Sequence, residues 1–352
     1  MENRSVSLGG VALEGVSKTF CAAVLCCAIV GSACSDTSSP ARDSGSADAS
    51  LAADADRGSR PDGATGGQVY VVLFTHIEDQ TPGGTLGTDQ SKASYLAIRS
   101  KLIEVAQKAA SHKLQWVLEP DWKILVAAQQ YEDAATMTST GGKNFFRYLR
   151  EDLGVVIDAH SHEAGGYNYT DVAYLLESLG VGGTTVIGGH IWDPSIQQFQ
   201  QWDRFRNPVN GLKYPTAVWR GDILIGAGTP NHSNDPVASG VWRPKDRNDF
   251  FGDDPAGNIA AVGAYHNNVA GVQELVSLYA KGTVAPTDML TASWNITPSE
   301  ITATGGVDAV DATYFTPIAA MRDAGTVKAT DFSSLVKTWK ADFGGRAFLY
   351  KL

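Results

Sequence analysis

The chain has 352 residues, 43% of them hydrophobic and 19% charged, and a formal net charge of −10. That length holds one α/β domain with appendages. The acidic balance, with no run of Lys or Arg, argues against nucleic acid as a partner.

Residues 1–34 read as an export signal. Arg4 and Lys18 supply positive charge, Phe20 to Val30 is an uninterrupted apolar run of 11 residues, and Gly31-Ser32-Ala33 precede Cys34. The run is too short for a permanent membrane-spanning helix. A cysteine directly after small residues resembles the bacterial lipobox. That resemblance implies lipidation of Cys34 and an exported, membrane-anchored lipoprotein, periplasmic or at the cell surface. Ordinary secretion with cleavage nearby is the other reading. The four cysteines (Cys21, Cys26, Cys27, Cys34) all fall in this segment. The remainder therefore has no disulfide, thiolate ligand or cysteine nucleophile, and any metal must be held by His, Asp and Glu. Residues 35–68, rich in Ser, Ala, Asp and Gly, cannot bury enough apolar surface to offset chain entropy and read as a disordered tether.

The body, 69–352, opens on Val69-Tyr70-Val71-Val72-Leu73-Phe74, a continuous apolar run expected to be a strand buried on both faces of a parallel sheet. A Gly- and Thr-rich loop spans 81–87, and apolar residues at helical spacing predict a helix over 95–110. A second strand is expected at 114–118, ending in Glu119-Pro120-Asp121-Trp122, with helices over 124–131 and 145–153. The third strand, 155–157, runs into Asp158-Ala159-His160-Ser161-His162-Glu163 and is followed by a helix over 171–179. A fourth, 184–187, ends in Gly188-Gly189-His190-Ile191-Trp192. Later strands are expected at 217–219, 240–242, 261–265 and 290–295, with helices over 269–280 and 314–323. This alternation predicts a parallel sheet, and the number of units favours a barrel over an open sheet.

Ligands in such folds bind at the C-terminal ends of strands. Four of the seven histidines, His76, His160, His190 and His266, sit just after an expected strand. Strand alternation points His160 and His162 the same way, with Asp158 and Glu163 beside them, a set suited to a divalent metal. A solvated polar turn is the alternative reading. Trp122, Trp192, Trp202, Trp219 and Trp242 fall at loops or strand ends, where flat rings stack on sugars or pack the top of a barrel.

The order of these pieces resembles the polysaccharide deacetylase (NodB-homology) superfamily. The carrying residues are the acidic cluster closing the first strand (His76, Glu78, Asp79), the run Leu153 to His162 with the helix after it, and Val241-Trp242-Arg243-Pro244. The resemblance covers roughly residues 69–300. It implies an irregular (β/α) barrel and a divalent metal, zinc by ligand type, held by His160, His162 and Asp79 or Glu78, with His76 alongside. It implies removal of acetyl groups from an extracytoplasmic polysaccharide. Glu78 or Asp79 would act as base, His266 or His190 as acid, and Arg243 would orient the base or hold the oxyanion, unless it makes a surface ion pair. Trp122, His190, Trp192 and Trp242 would contact the glycan. The chain departs from the superfamily in lacking its pair of aspartates after the first strand. It also has Ala164 where a second histidine is usual, so His162 or Glu163 would substitute. Asp158-Ala159-His160-Ser161-His162 also resembles the DxHxH motif of amidohydrolase and phosphoesterase barrels, although there it closes the first strand. A glycan-binding surface lipoprotein with a degenerate site is the non-enzymatic alternative.

Overall fold

The computed structural model describes residues 67–189, 197–225, 237–246 and 248–352, without the side chains of 197–201. The export signal, Cys34, most of the tether, His190 and Trp192 lie outside the described residues. No described helix is long and apolar enough to cross a membrane.

The strands are β1 (Val69–Ile77), β2 (Val117–Pro120), β3 (Val156–Ile157), β4 (Val186–Ile187), β5 (Val209–Asn210), β6 (Val218–Trp219), β7 (Ile223–Ile225), β8 (Ala238–Trp242), β9 (Ala260–Val262), β10 (Thr291–Asn295), β11 (Val327–Ala329) and β12 (Phe348–Lys351). One sheet has the order β10-β1-β2-β3, with β11 on the first half of β1, and all its pairings are parallel. The second has the order β12-β8-β9-β7-β4, with β8 antiparallel to both of its neighbours. Every residue of β1 is buried, as its unbroken apolar sequence requires of a central parallel strand.

The two sheets meet at two seams. Past the ends of β3 and β4 a single parallel bridge joins His160 to Gly188. On the other side, Thr291 Oγ1 donates to the carbonyls of Gly240 and Gly263, and its N–H donates to Ser239 Oγ. No continuous ladder crosses either seam, so among the described residues the expected barrel is an interrupted ring of two sheets rather than a closed one. Between the sheets lies an inner core. Tyr70, Val72 and Phe74 of β1 share it with Val117, Val186, Ile223, Ile225, Val241 and Val262, and with Phe332, Leu335, Val336 and Trp339 from the helix Phe332–Asp342. The opposite faces of the strands pack under the outer helices: Val69, Val71 and Leu73 join Leu102, Val105, Phe146 and Leu175.

Helix ends follow sequence. Asp89–Ser111 is capped by Thr88, and Phe145–Leu153, the span expected, is capped by Asn144 and stopped by Gly154 at φ 70°. Tyr169–Ser178 begins with a capping box in which Asn168 and Asp171 exchange bonds. Asp171 is fully buried, and it also accepts the backbone N–H groups of Leu212, Lys213 and Tyr214 at 2.8–3.1 Å, tying that turn to the helix.

Candidate metal-binding site

The side chains that converge come from the C-terminal ends of β1, β2 and β3. Parallel pairing sets their heights: His76 is the register partner of Glu119, and the N–H of His160 bonds to the carbonyl of Pro120 at 3.4 Å. His76 follows Val72 and Phe74 on the inward face of β1, so the inner core is the floor beneath it. Its ring meets Phe74 edge-on at 4.8 Å, and Phe74 meets Phe332 at 5.6 Å.

Two overlapping groups of ligand-type atoms result. In the outer one, Glu78 Oε2 lies 3.3 Å from His160 Nε2 and 3.1 Å from His162 Nδ1. Ligands 2.0–2.1 Å from a tetrahedral zinc are themselves separated by roughly 3.3 Å, so these spacings fit one ion. Glu78 and His162 are partly exposed and His160 is buried, which leaves the group open on one side. The inner group is His76, Glu119 and His160, all buried, with His76 Nδ1 2.8 Å from Glu119 Oε2 and the His76 and His160 rings 4.2 Å apart.

The charges of the carboxyls diverge. Burial opposes ionisation of Glu78, but the His160 hydrogen bond and the charges of His160, His162 and His76 outweigh it and hold its pKa at about 2. Glu119 is pushed well above the usual carboxylate range by complete burial and by the charge on Glu78. Asp158 is raised to about 7 by burial and by Glu119, against a 2.8 Å bond from Thr184 Oγ1. Asp121 is also raised to about 7, by burial first. Its Oδ2 accepts the His162 N–H at 3.4 Å and its Oδ1 accepts the Trp122 N–H at 2.5 Å, so it anchors the loop that presents His162.

That loop is backbone-strained. Glu163 has φ 55°, a left-handed conformation costly for a side chain of its kind, and is held by its N–H to Ser161 Oγ and by an ion pair with Arg204. Space is equally tight on β4. A Cβ on Gly188 would lie 2.5 Å from Glu119 Oε2, and one on Gly189 would lie 2.7 Å from His160 Cε1. Glycine at both positions lets the strand end approach the site.

The structure brings His76, Glu78, His160 and His162 together. Asp79 is partly buried beside them, belongs to neither ligand group, and acts on Asp121 through its charge. His266 follows β9 and leans on Tyr265 at 4.8 Å. Its neighbour Asn267 accepts the Asn295 N–H at 2.8 Å, and Asn295 Oδ1 accepts the His76 N–H at 3.5 Å, so His266 is at the same end of the sheets without joining either group. Trp122 stacks on Tyr167 at 4.6 Å near the His162 loop. Arg243 and Trp242 are elsewhere: β8 runs antiparallel to its neighbour β9, so its C-terminal end lies at the opposite end of the strands from His266. Arg243 makes a two-pronged ion pair with Asp253, and Trp242 is a core residue donating to the Phe250 carbonyl at 2.7 Å. Asp158 belongs to neither group, which leaves the DxHxH pattern without its first member. Glu119 and Gly188–Gly189 were not expected to contribute. The signal for Glu119 was an acidic residue at an apolar strand end, level with His76.

No protein-family model matches the chain, and no curated protein matches it in sequence. Among solved structures, it is similar to a protein described as a glycoside hydrolase/deacetylase from Parabacteroides distasonis (10% identity, 78% of this chain and 72% of that one, TM-score 0.44). It is also similar to PuuE allantoinase (11%, 78% and 90%, 0.43) and to a protein described as a polysaccharide deacetylase from Pseudomonas aeruginosa (9%, 78% and 91%, 0.43).

Proposed function

We propose that this chain is a metal-dependent hydrolase that removes acyl groups from a carbohydrate, with the ion held by Glu78, His160 and His162. The observation that carries the reading is the pair of spacings from Glu78 Oε2, 3.3 Å to one imidazole nitrogen and 3.1 Å to the other, in a group open on one side. Glu78 stays ionised at any working pH, and two imidazoles with one carboxylate suit zinc. An ion there polarises an acyl carbonyl and lowers the pKa of a water molecule.

The remaining roles fall to this chain's own side chains. Asp79, next to the ligand Glu78 and partly accessible, takes the proton of the attacking water as general base. His266, at the rim, returns a proton to the leaving group. Asp121 fixes His162 through its backbone, and Trp122, stacked on Tyr167 where the loop begins, offers a ring edge to a sugar face. The export signal and the lipidated Cys34 would place this activity outside the cytoplasm, tethered by residues 35–68.

Acetate release from acetylated chitooligosaccharide, peptidoglycan and xylan by the full chain tests the proposal. Activity should vanish on chelation, return with zinc, and be lost in Glu78→Gln and Asp79→Asn. Release unaffected by chelation, or no release with zinc retained in stoichiometric amount, overturns the hydrolase reading; the latter result leaves a metal-bearing glycan binder.

A further inference from the structure

The inner group poses an electrostatic problem that the outer ion does not solve. Glu119 is fully buried, and neither of its carboxylate oxygens has a hydrogen-bond partner among the described residues. His76 Nδ1 approaches Oε2 to 2.8 Å without the angle of a hydrogen bond. A buried carboxylate left in this state is expensive unless it is neutralised by a proton or paired with a cation. Asp158 is a second buried carboxyl, and the charge of Glu119 raises the cost of ionising it.

We propose a second divalent-cation site formed by His76, Glu119 and His160, deeper than the first and sharing His160 with it. The His160 ring bridges the two ions as an imidazolate after giving up its remaining N–H proton to solvent. The ring of His160 faces two ways. Its Nε2 points to Glu78 Oε2 at 3.3 Å, and its Nδ1 points to Gly189, where a Cβ would lie 3.0 Å away. Glu119 Oε2 lies against the adjoining Gly188. Glu119 Oε2 and His160 Nδ1 therefore both lie against the Gly188–Gly189 turn, while the other ring nitrogen meets Glu78. Two nitrogens and one oxygen within 4.8 Å of one another form a set for zinc or a similar borderline ion. An ion there neutralises Glu119 in place and turns two glycines that only make room into one wall of a metal pocket.

Zinc content of the full chain after equilibration with zinc and removal of excess separates this proposal from the hydrolase reading. Wild type should hold about two ions, His162→Ala about one, and His162→Ala/Glu119→Gln none, with zinc still raising the unfolding midpoint of His162→Ala. One ion in wild type, lost in His162→Ala and kept in Glu119→Gln, overturns the inner site and leaves the outer one standing. No ion in wild type overturns both. Should Glu119→Gln fail to fold, anomalous scattering at the zinc edge from wild-type crystals decides: a peak bounded by His76, Glu119 and His160 is expected, and its absence refutes the site.

Discussion

His76 and Glu119 are register partners across the β1–β2 ladder, and their side chains, on the same face, come to 2.8 Å at the top of the inner core. A one-residue slip between these strands would turn one of the two to the opposite face. Both faces of β1 and β2 are buried, so the size and shape of the packed side chains, rather than polarity, hold the register, and the geometry of the site follows from core packing.

Replacing either imidazole of the outer group should remove its ion. His160→Ala and His162→Ala should each lower acyl release on the order of a thousandfold, the equivalent of the several kcal/mol such an ion supplies. Only His160→Ala should also disturb His76, whose ring it meets at 4.2 Å. Steady-state rates with metal analysis check this; equal, small losses in both variants would contradict it.

Gly188→Ala places a methyl 2.5 Å from Glu119 Oε2 and 2.8 Å from the Ala159 carbonyl. The carbonyl is backbone and cannot step aside. The expected cost is about 1–3 kcal/mol in denaturant unfolding, together with loss of bound metal. Gly183→Ala, where a Cβ meets nothing within 4 Å, serves as a control for backbone strain alone, since its φ is +102°.

Asp171→Ala leaves the N–H groups of Leu212, Lys213 and Tyr214 without their buried acceptor. At about 1–3 kcal/mol for a lost buried partner, the expected destabilisation is on the order of 3 kcal/mol. The turn at 211–214 should become the first protease cleavage site. Asn at 171 should recover part of the loss, and limited proteolysis with urea unfolding will show whether it does.

In metal-free protein the carboxyls of Asp158 and Glu78 should drive stability in opposite directions with pH. Asp158 has its folded pKa raised to about 7, so its contribution is complete below about 4 and is lost as pH climbs to 7. Glu78 is held at about 2, so its contribution is present above about 4.3 and disappears as pH falls toward 2. Asp158→Asn should make the decline between pH 4 and 7 shallower, the remainder coming from Asp121 and Glu119, whose pKa values burial also raises. Unfolding free energies of the two proteins across that range are the measurement, and parallel curves would refute the assignment.

The sequence announced β1 by its unbroken apolar run, and the helices Phe145–Leu153 and Val269–Ala280 by helical spacing beside a cap or breaker. It also placed His160, His162 and the acids after β1 at strand ends that a parallel sheet must bring level, with Asp79 or Glu78 as the carboxylate partner; of these acids only Glu78 joins the two imidazoles. The helix Phe332–Asp342 and the final strand went unseen: their short mixed patterns become intelligible only once the inner core that receives Phe332 and Trp339 exists. The place of Arg243 depended on strand direction. A motif read as following a strand says nothing of whether that strand runs with or against the others, and β8 runs against. Glu119 stood in view beside Asp121, but only the register with His76 gives it a role.

The helix that closes the inner core, Phe332–Asp342, is synthesised long after the strand it covers, Val69–Ile77. Tyr70 must wait for Thr291, and Phe74 for Phe332, before either is shielded from water. Folding of this body is therefore committed late and from its far end, a slow, long-range assembly in which the half-made protein stays open. A ribosome-stalled fragment ending before the helix Phe332–Asp342 should remain protease-sensitive throughout, with its histidines apart.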